Sequence, residues 1–154
     1  MVELIDLSDG NSIPQLGFGV WKAGEGECYS AVRTALETGY RHIDTARIYG
    51  NEEDVGRAIK DSGIPREQIF VTTKLWNSDQ PKAQAAFDES VARLGLEYVD
   101  LYLIHFPVTK SRVQAWKDLE KIKASGRAKS IGVSNYMQKH LDELFAASEI
   151  KPVV

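Results

Sequence analysis

The chain has 154 residues, 43% of them hydrophobic and 27% charged, which is enough for one folded domain with a buried core. Its formal net charge is −3 and its basic residues are scattered rather than interleaved with aromatic ones, which argues against nucleic acid as a partner. Its apolar stretches have the length of strands, so no membrane partner is expected.

A reducing cytoplasm is the compartment that the sequence favours. The single cysteine, Cys28, cannot form an internal disulfide. The first residues, Met1–Asp6, place acidic side chains where a secretory leader needs basic and then apolar ones. Cys28 itself falls on an apolar helical stripe, which favours core packing over a role as nucleophile.

Predicted strands and amphipathic helices alternate along the chain. A β-hairpin is predicted from Val2–Leu7 and Ser12–Ile13, because the Asp9-Gly10 pair between them is a strong two-residue turn signal. Apolar and β-branched runs then predict five further strands. These strands are Leu16–Val20, Arg41–Thr45, Ile69–Leu75, Val99–His105 and Ser130–Val133.

A helix is predicted after each of these five strands, from apolar residues at helical spacing. Asn51 is a predicted N-cap of the second helix, with the acidic run Glu52–Asp54 in its first turn. Pro152–Val154 resembles the start of a sixth strand. The predicted buried faces are Cys28, Val32, Ala35 and Leu36; Val55, Ala58 and Ile59; Phe87, Val91 and Leu94; Val113, Trp116 and Leu119 with Ile122 or the stem of Lys123; and Met137, Leu141, Leu144 and Phe145.

The spacing of the strands fits two α/β architectures. They begin at residues 16, 41, 69, 99 and near 128, whereas an eight-unit barrel needs roughly 31 residues per unit. A doubly wound open sheet has similar spacing, but Gly17-Phe18-Gly19 is followed by no third glycine and no helix start. We therefore predict a TIM (β/α)8 barrel with an N-terminal β-hairpin, truncated after about five and a half βα units. Residues 1–154 would be the N-terminal part of one barrel domain.

Polar side chains gather where the predicted strands end. Asp44, Lys74 and His105 end three successive strands, and Tyr49 follows Asp44 in a loop. Each could simply mark where a strand emerges into water, but opposed titratable groups at one barrel rim favour an active site.

These four side chains suit the protonation of a carbonyl group. A phenol is a weak acid unless a nearby positive charge stabilises its phenolate, and Lys74 could provide that charge beside Tyr49. Asp44 would hold the lysine charged, and His105 could donate a hydrogen bond to a carbonyl oxygen. The carbonyl would then accept a nucleophile or a hydride.

The sequence around these residues resembles the aldo-keto reductase family, in its diketogluconate-reductase-like branch. Four ordered motifs carry the resemblance: GYRHIDTA at residues 39–46 with YGNE at 49–52; TKLW at 73–76; LGL at 94–96 with DLYLIH at 100–105; and IGVSN at 131–135. The likeness extends from about Leu4 to the last residue. Two departures concern the pocket: Phe106 stands where many relatives have tryptophan, and the loop Pro107–Lys110 is short.

The resemblance implies reduction of aldehydes or ketones with NADPH as the cofactor. No metal site is expected, because the three histidines lie on different predicted elements without metal-ligand spacing. Tyr49 would be the acid, Lys74 and Asp44 its tuning pair, and His105 the residue that orients the substrate. The implied cofactor-binding residues are Asp44, Thr45, Ser134 and Asn135. The implied substrate-binding residues are Trp21, Tyr49, Trp76, His105 and Phe106.

Two alternatives remain open at this point. Lys74 could form a Schiff base with a carbonyl substrate, as in aldolases. Alternatively, the chain could be a non-catalytic truncated isoform or a half-barrel interaction module. We expect a monomer if the protein is full-length, and an oligomer or aggregate if it is truncated. The physiological substrate and the choice of NADPH over NADH stay undetermined.

Overall fold

The computed structural model describes residues 2–24 and 26–154, so Met1 and Glu25 lie outside the described residues. Met1 is the first residue of the N-terminal stretch Met1–Asp6 considered above. Strands and helices alternate after an initial hairpin, as predicted. The strands are β1 (Leu4–Asp6), β2 (Ser12–Pro14), β3 (Phe18–Gly19), β4 (His42–Asp44), β5 (Phe70–Leu75), β6 (Val99–Ile104) and β7 (Ala128–Val133). The helices are α1 (Glu27–Glu37), α2 (Glu52–Asp61), α3 (Ala83–Leu94), α4 (Arg112–Ala124) and α5 (Gln138–Ala147). Short 3-10 turns cover Arg47–Tyr49, Arg66–Gln68 and Asn77–Lys82.

Strands β3 to β7 form one parallel sheet in which every strand pairs with the next one along the chain. A doubly wound sheet would reverse its strand order at a switch point, and none occurs among these five strands. The order is that of consecutive βα units in a barrel wall. The predicted α/β barrel class is confirmed, and β1 and β2 form the predicted antiparallel hairpin.

Apolar side chains cover both faces of the sheet. All six residues of β5 are buried, as expected for a central parallel strand. The larger core lies between the sheet and the helices and includes Ile43, Val71 and Ile131. On the other face, Phe70, Leu101 and Leu103 pack with Ile13 of the hairpin, which therefore covers one end of the sheet.

The buried faces of the first three helices are confirmed, but the later helices differ from the prediction. Val113 of α4 is only half-buried, while Trp116, Leu119 and Ile122 are fully buried. The apolar stripe predicted for α5 is wrong, since Met137 is 67% and Phe145 42% exposed and only Leu144 is buried. Met137 precedes the helix, so its side chain lies outside the helical repeat that the prediction assumed.

The hairpin turn is also longer than predicted. Asp6 pairs with Ser12, so residues 7–11 form the connection instead of the Asp9-Gly10 pair alone. The Asp9 carboxylate accepts hydrogen bonds from Lys123 at 2.6 Å and Ser130 at 2.9 Å. Asp9 therefore binds two residues that are distant in the sequence, and a turn rule based on neighbouring residues cannot predict such a contact.

Several element boundaries move by a few residues. The predicted strand Leu16–Val20 is reduced to β3, and α3 begins only after the 3-10 turn that contains Pro81. Val153 and Val154 make two backbone hydrogen bonds to β7, of 3.1 and 2.9 Å, at the position predicted for a sixth strand. No helix within residues 2–24 or 26–154 has both the length and the apolar character needed to cross a membrane.

Candidate active site

The four predicted catalytic side chains meet at the carboxyl end of the parallel sheet. Asp44 is the last residue of β4, Lys74 lies near the end of β5, and His105 follows β6 directly. Tyr49 ends the 3-10 turn after β4, which brings its ring back over the sheet. Parallel strands bring these ends to one edge, so residues distant in sequence become neighbours.

Lys74 is the centre of the cluster. The residue is 5% exposed, and its ammonium donates to the Asp44 carboxylate, to the Thr45 carbonyl at 2.9 Å and to the Tyr49 hydroxyl at 3.3 Å. An ammonium has three protons, and three oxygen acceptors surround this one. The three contacts thereby fix the lysine nitrogen beside the phenol oxygen.

His105 lies beside Tyr49 as a neutral imidazole. Its ring centroid is 5.8 Å from that of Tyr49 in an edge-on arrangement. Burial, and then the positive charge of Lys74, lower the pKa of His105 to about 4, against the opposing effect of Asp44. At neutral pH the ring therefore carries one N–H donor and no charge.

Aromatic rings form a wall next to His105. The ring of Phe106 stacks on the imidazole with centroids 5.2 Å apart and planes 17° from parallel. Trp76 meets both rings edge-on, at 5.3 Å from His105 and 6.0 Å from Phe106. Trp21, the remaining predicted substrate-binding aromatic, lies outside this wall. It is 67% exposed, and the Lys22 ammonium lies over its ring.

The predicted cofactor residues divide into two groups. Ser134 and Asn135 follow β7 directly, and the Asn135 amide donates to the His105 carbonyl at 2.9 Å and to the Ser134 hydroxyl at 3.1 Å. Asn135 has a left-handed backbone with φ of 60°, which orients its side chain toward β6. Thr45 instead points its hydroxyl into the protein, where it donates to Asn51 at 2.9 Å.

Asn51 has a different role from the one the sequence suggested. It stands at the N-cap position of α2, but its side chain makes no capping hydrogen bond. The amide nitrogen donates to the Val20 carbonyl at 2.9 Å, and the amide oxygen accepts from Thr45. The predicted N-cap position is therefore confirmed, but a buried tertiary contact takes the Asn51 side chain away from the helix end.

Two further buried polar residues support the site and were not predicted. Glu52 accepts hydrogen bonds from Thr73 and Arg93 on the outer side of β5. Gln80 binds the backbone just after His105. Glu52 belongs to the YGNE motif but reads there as a first-turn acid of a helix, and no motif of the sequence analysis includes Gln80.

Comparison with known proteins identifies the family. The model of the aldo/keto reductase family matches residues 15–154, which is most of the chain. The chain belongs to the aldo/keto reductase family. The resemblance seen in the four motifs is thus confirmed.

Curated relatives match the chain almost from end to end, but the chain spans about half of their length. It is 54% identical over 153 residues to a 9,11-endoperoxide prostaglandin H2 reductase of Trypanosoma cruzi, covering 97% of this chain and 54% of that relative. It is 51% identical to a morphine 6-dehydrogenase of Pseudomonas putida and 48% identical to a methylglyoxal reductase of Salmonella typhimurium. These alignments cover 98% of this chain and 52% and 56% of the two relatives.

Solved structures of the family superimpose closely on this aldo/keto reductase chain. One is an aldo/keto reductase from Brucella melitensis, with a TM-score of 0.97 and 53% identity over 100% of this chain and 62% of that one. Another is a Bombyx mori aldo-keto reductase in complex with NADP, with a TM-score of 0.92 and 40% identity. That match covers 99% of this chain and 56% of the other.

Proposed function

We propose that this chain carries the proton-donating site of an NADPH-dependent reductase of aldehydes and ketones, and that residues 1–154 form the N-terminal part of one barrel domain. The observation that carries the proposal is the arrangement of Lys74. Its ammonium is buried and touches Asp44, the Thr45 carbonyl and the Tyr49 hydroxyl. A cation fixed beside a phenol stabilises the phenolate that remains after the phenol gives up its proton.

The residues after β7 suit the carboxamide of a nicotinamide ring. A carboxamide both donates and accepts hydrogen bonds, and Ser134 and Asn135 together offer a hydroxyl and an amide at the same rim. When bound, NADPH would supply the hydride. The relative from Bombyx mori was solved with NADP, which supports a nicotinamide cofactor for this chain as well.

Tyr49 would give its proton to the carbonyl oxygen of the substrate. Lys74 would stabilise the phenolate that forms, and Asp44 would keep the lysine charged and oriented. His105 is neutral because its pKa is about 4, so its N–H can donate a hydrogen bond to the same oxygen without adding a second positive charge. The site would thus direct protonation to one atom of the substrate.

The expected substrates are small carbonyl compounds with an apolar part. Trp76 and Phe106 form an aromatic wall beside His105, and Trp21 stands exposed at the end of β3. Such rings can pack against an apolar group while the carbonyl reaches Tyr49. The names of the relatives, which include methylglyoxal and prostaglandin H2 reductases, support carbonyl or related reduction without fixing the substrate.

The experiment is to follow NADPH oxidation with an aromatic aldehyde for the unaltered chain and for Tyr49→Phe, which removes only the hydroxyl. We expect turnover to fall by roughly 10²–10⁴-fold, the usual contribution of a general acid. Tyr98→Phe is the matched control, because Tyr98 lies before β6 at the other end of the sheet. Turnover that survives in Tyr49→Phe would contradict the role of Tyr49.

The two alternative functions predict different outcomes. A Schiff base needs a free lone pair on Lys74, whereas three acceptors hold this nitrogen as an ammonium. Borohydride trapping of substrate on Lys74 would favour the aldolase-type alternative. If the unaltered chain does not oxidise NADPH but a chain extended to a closed barrel does, the reacting groups lie in this chain and the cofactor site does not. Absence of turnover in both would favour the non-catalytic interaction module. A cytoplasmic location and the oligomeric state stay predictions.

A further inference from the structure

Gln80 joins three segments that surround the candidate site. It lies on the 3-10 turn after β5, and its side chain is fully buried. Its amide nitrogen donates to the Phe106 carbonyl at 2.7 Å, and its amide oxygen accepts from the Ser111 hydroxyl at 2.8 Å. One side chain thus links the turn after β5, the segment after β6 and the start of α4.

The segment that Gln80 holds carries the wall of the site. His105 and Phe106 lie just beyond the last residue of β6, with their rings stacked. The Phe106 carbonyl accepts a second hydrogen bond from the Val108 N–H at 3.0 Å, within the same loop, whereas Gln80 ties it to another part of the chain. The His105 carbonyl is tied separately to Asn135.

Apolar packing alone does not fix the Phe106 ring. It is 38% exposed, so burial contributes only part of the free energy that a core phenylalanine would gain. A buried amide that donates to its backbone restricts the segment much more sharply, because breaking the bond leaves a buried donor without a partner. The position of the ring over His105 therefore depends on the backbone contact.

We propose that Gln80 is a positioning residue that holds Phe106 stacked on His105 and so shapes the substrate wall. The expected effect of Gln80 on catalysis rests on the proposed function, whereas its expected effect on the positions of the Phe106 and His105 rings does not. Without the Gln80 amide, the segment after β6 should relax and the imidazole should lose the stacked ring of Phe106, while Trp76 and Tyr49 remain edge-on to it. Substrates that pack on the wall should then bind more weakly, while proton donation by Tyr49 should change little.

The test is NMR of the chain with labelled histidines, comparing the unaltered protein with Gln80→Met. Methionine has similar length but cannot donate to the Phe106 carbonyl. The chain has three histidines, so the signals can be assigned by single substitutions. The His42 ring, which hydrogen-bonds Thr72 at 2.9 Å inside the sheet, serves as an internal standard for folding.

We expect Gln80→Met to remove the ring-current shift that Phe106 gives the His105 signals and to raise the pKa of His105 from about 4 toward 6.5, with His42 unchanged. Gln84→Met, a substitution at an exposed position of α3, should leave His105 as it is. So should Ser111→Ala, which keeps the bond from Gln80 to Phe106. Unaltered His105 signals in folded Gln80→Met would overturn the proposal.

A second variant keeps the proposal testable if Gln80→Met does not fold. Gln80→Glu keeps an acceptor for Ser111, and its carboxyl can donate to the Phe106 carbonyl only when protonated. The His105 signals should therefore shift as the introduced carboxyl titrates. His105 signals that match the unaltered chain at pH values where the introduced carboxyl is shown to be ionised would overturn the proposal. In steady-state kinetics we expect the Gln80 variants to have a several-fold higher KM for an aromatic aldehyde and a nearly constant kcat. A fall in kcat as large as the rise in KM would contradict the proposed positioning role.

Discussion

The carboxylate of Glu52 and the guanidinium of Arg93 form an ion pair of 2.8 Å on the outer side of β5. The second carboxylate oxygen of Glu52 accepts from the Thr73 hydroxyl at 2.6 Å. Thr73 and Lys74 are consecutive strand residues, so their side chains point to opposite faces of the sheet. The buried pair therefore anchors α2 and α3 to the strand whose other face carries Lys74 of the candidate site.

Replacing Arg93 by alanine should destabilise the chain strongly. Glu52 is 1% exposed, and without Arg93 its charge would be buried with no counterion, at a cost of about 3–5 kcal/mol. The measurement is the midpoint of urea unfolding, and Lys121→Ala is the control. Lys121 pairs with Asp118 at the same distance of 2.8 Å but is 69% exposed, so its loss should cost less than about 1 kcal/mol. Equal midpoints for the two variants would contradict a stabilising role for the buried pair.

Gly56 should not tolerate even a methyl group. A Cβ on this residue of α2 would overlap the Leu94 carbonyl oxygen and lie 2.6 Å from the carbonyl carbon. Alanine normally favours a helix over glycine by about 1 kcal/mol, but here the two helices would have to move apart, at a cost of about 1–3 kcal/mol or more. Thermal unfolding of Gly56→Ala should show a lower Tm, while Gly24→Ala, in an open loop, should be close to neutral. A raised Tm for Gly56→Ala would show that the helices can separate without loss.

The stability of the chain should fall in acid because of His105. Its pKa is about 4 in the folded chain and near 6.5 when unfolded, so between these values the unfolded chain binds a proton that the folded chain does not. The contribution is complete above pH 6.5 and is lost as the pH falls toward 4, by about 3 kcal/mol in all. Urea unfolding at several pH values should show this slope.

The control for this pH dependence is a pair of histidine variants. In His105→Gln the slope should flatten, although burial also lowers the pKa of His42 and so leaves part of it. His140 lies at the first turn of α5; partial burial and the nearby charge of Arg112 lower its pKa as well, so His140→Gln should flatten the slope less than His105→Gln does. Identical slopes in the two variants would rule out His105 as the source.

Asn51 should be needed for the position of the loop that carries Trp21. In Asn51→Asp the side chain keeps its size but loses the donor to the Val20 carbonyl, and a carboxylate would face that oxygen. We expect a loss of about 1–3 kcal/mol and a change in Trp21 fluorescence. Thr45→Val removes only the hydrogen bond to the amide oxygen and should leave the fluorescence as it was. A fluorescence change that is the same in both variants would argue against a specific effect on Trp21.

Much of the candidate site could be predicted because its residues stand at strand ends. Asp44, Lys74 and His105 each close a predicted strand, and parallel strands bring such ends to one edge. The motifs then placed Tyr49 with them, and the contacts of Lys74 agree with that grouping. The sequence motifs and the parallel arrangement of the strands thus predict the same group of residues.

The supporting residues could not be predicted, because their roles arise from contacts between distant segments. Asn51 reads as a helix cap, Glu52 as a first-turn acid and Gln80 as a surface residue in a turn, yet all three are buried. Their partners lie 31, 41 and 26 residues away. Local rules for capping and turns contain no information about such partners.

The alternation of strand and helix, the parallel sheet and the residues of the candidate site could be predicted from the sequence alone, because periodicity and residue chemistry are local properties. The tertiary structure decided which polar side chains are buried, which carbonyls they hold and why the His105 imidazole is neutral. Those properties depend on which protein atoms surround a polar group once packing has excluded water from it, and only the folded chain determines those neighbours.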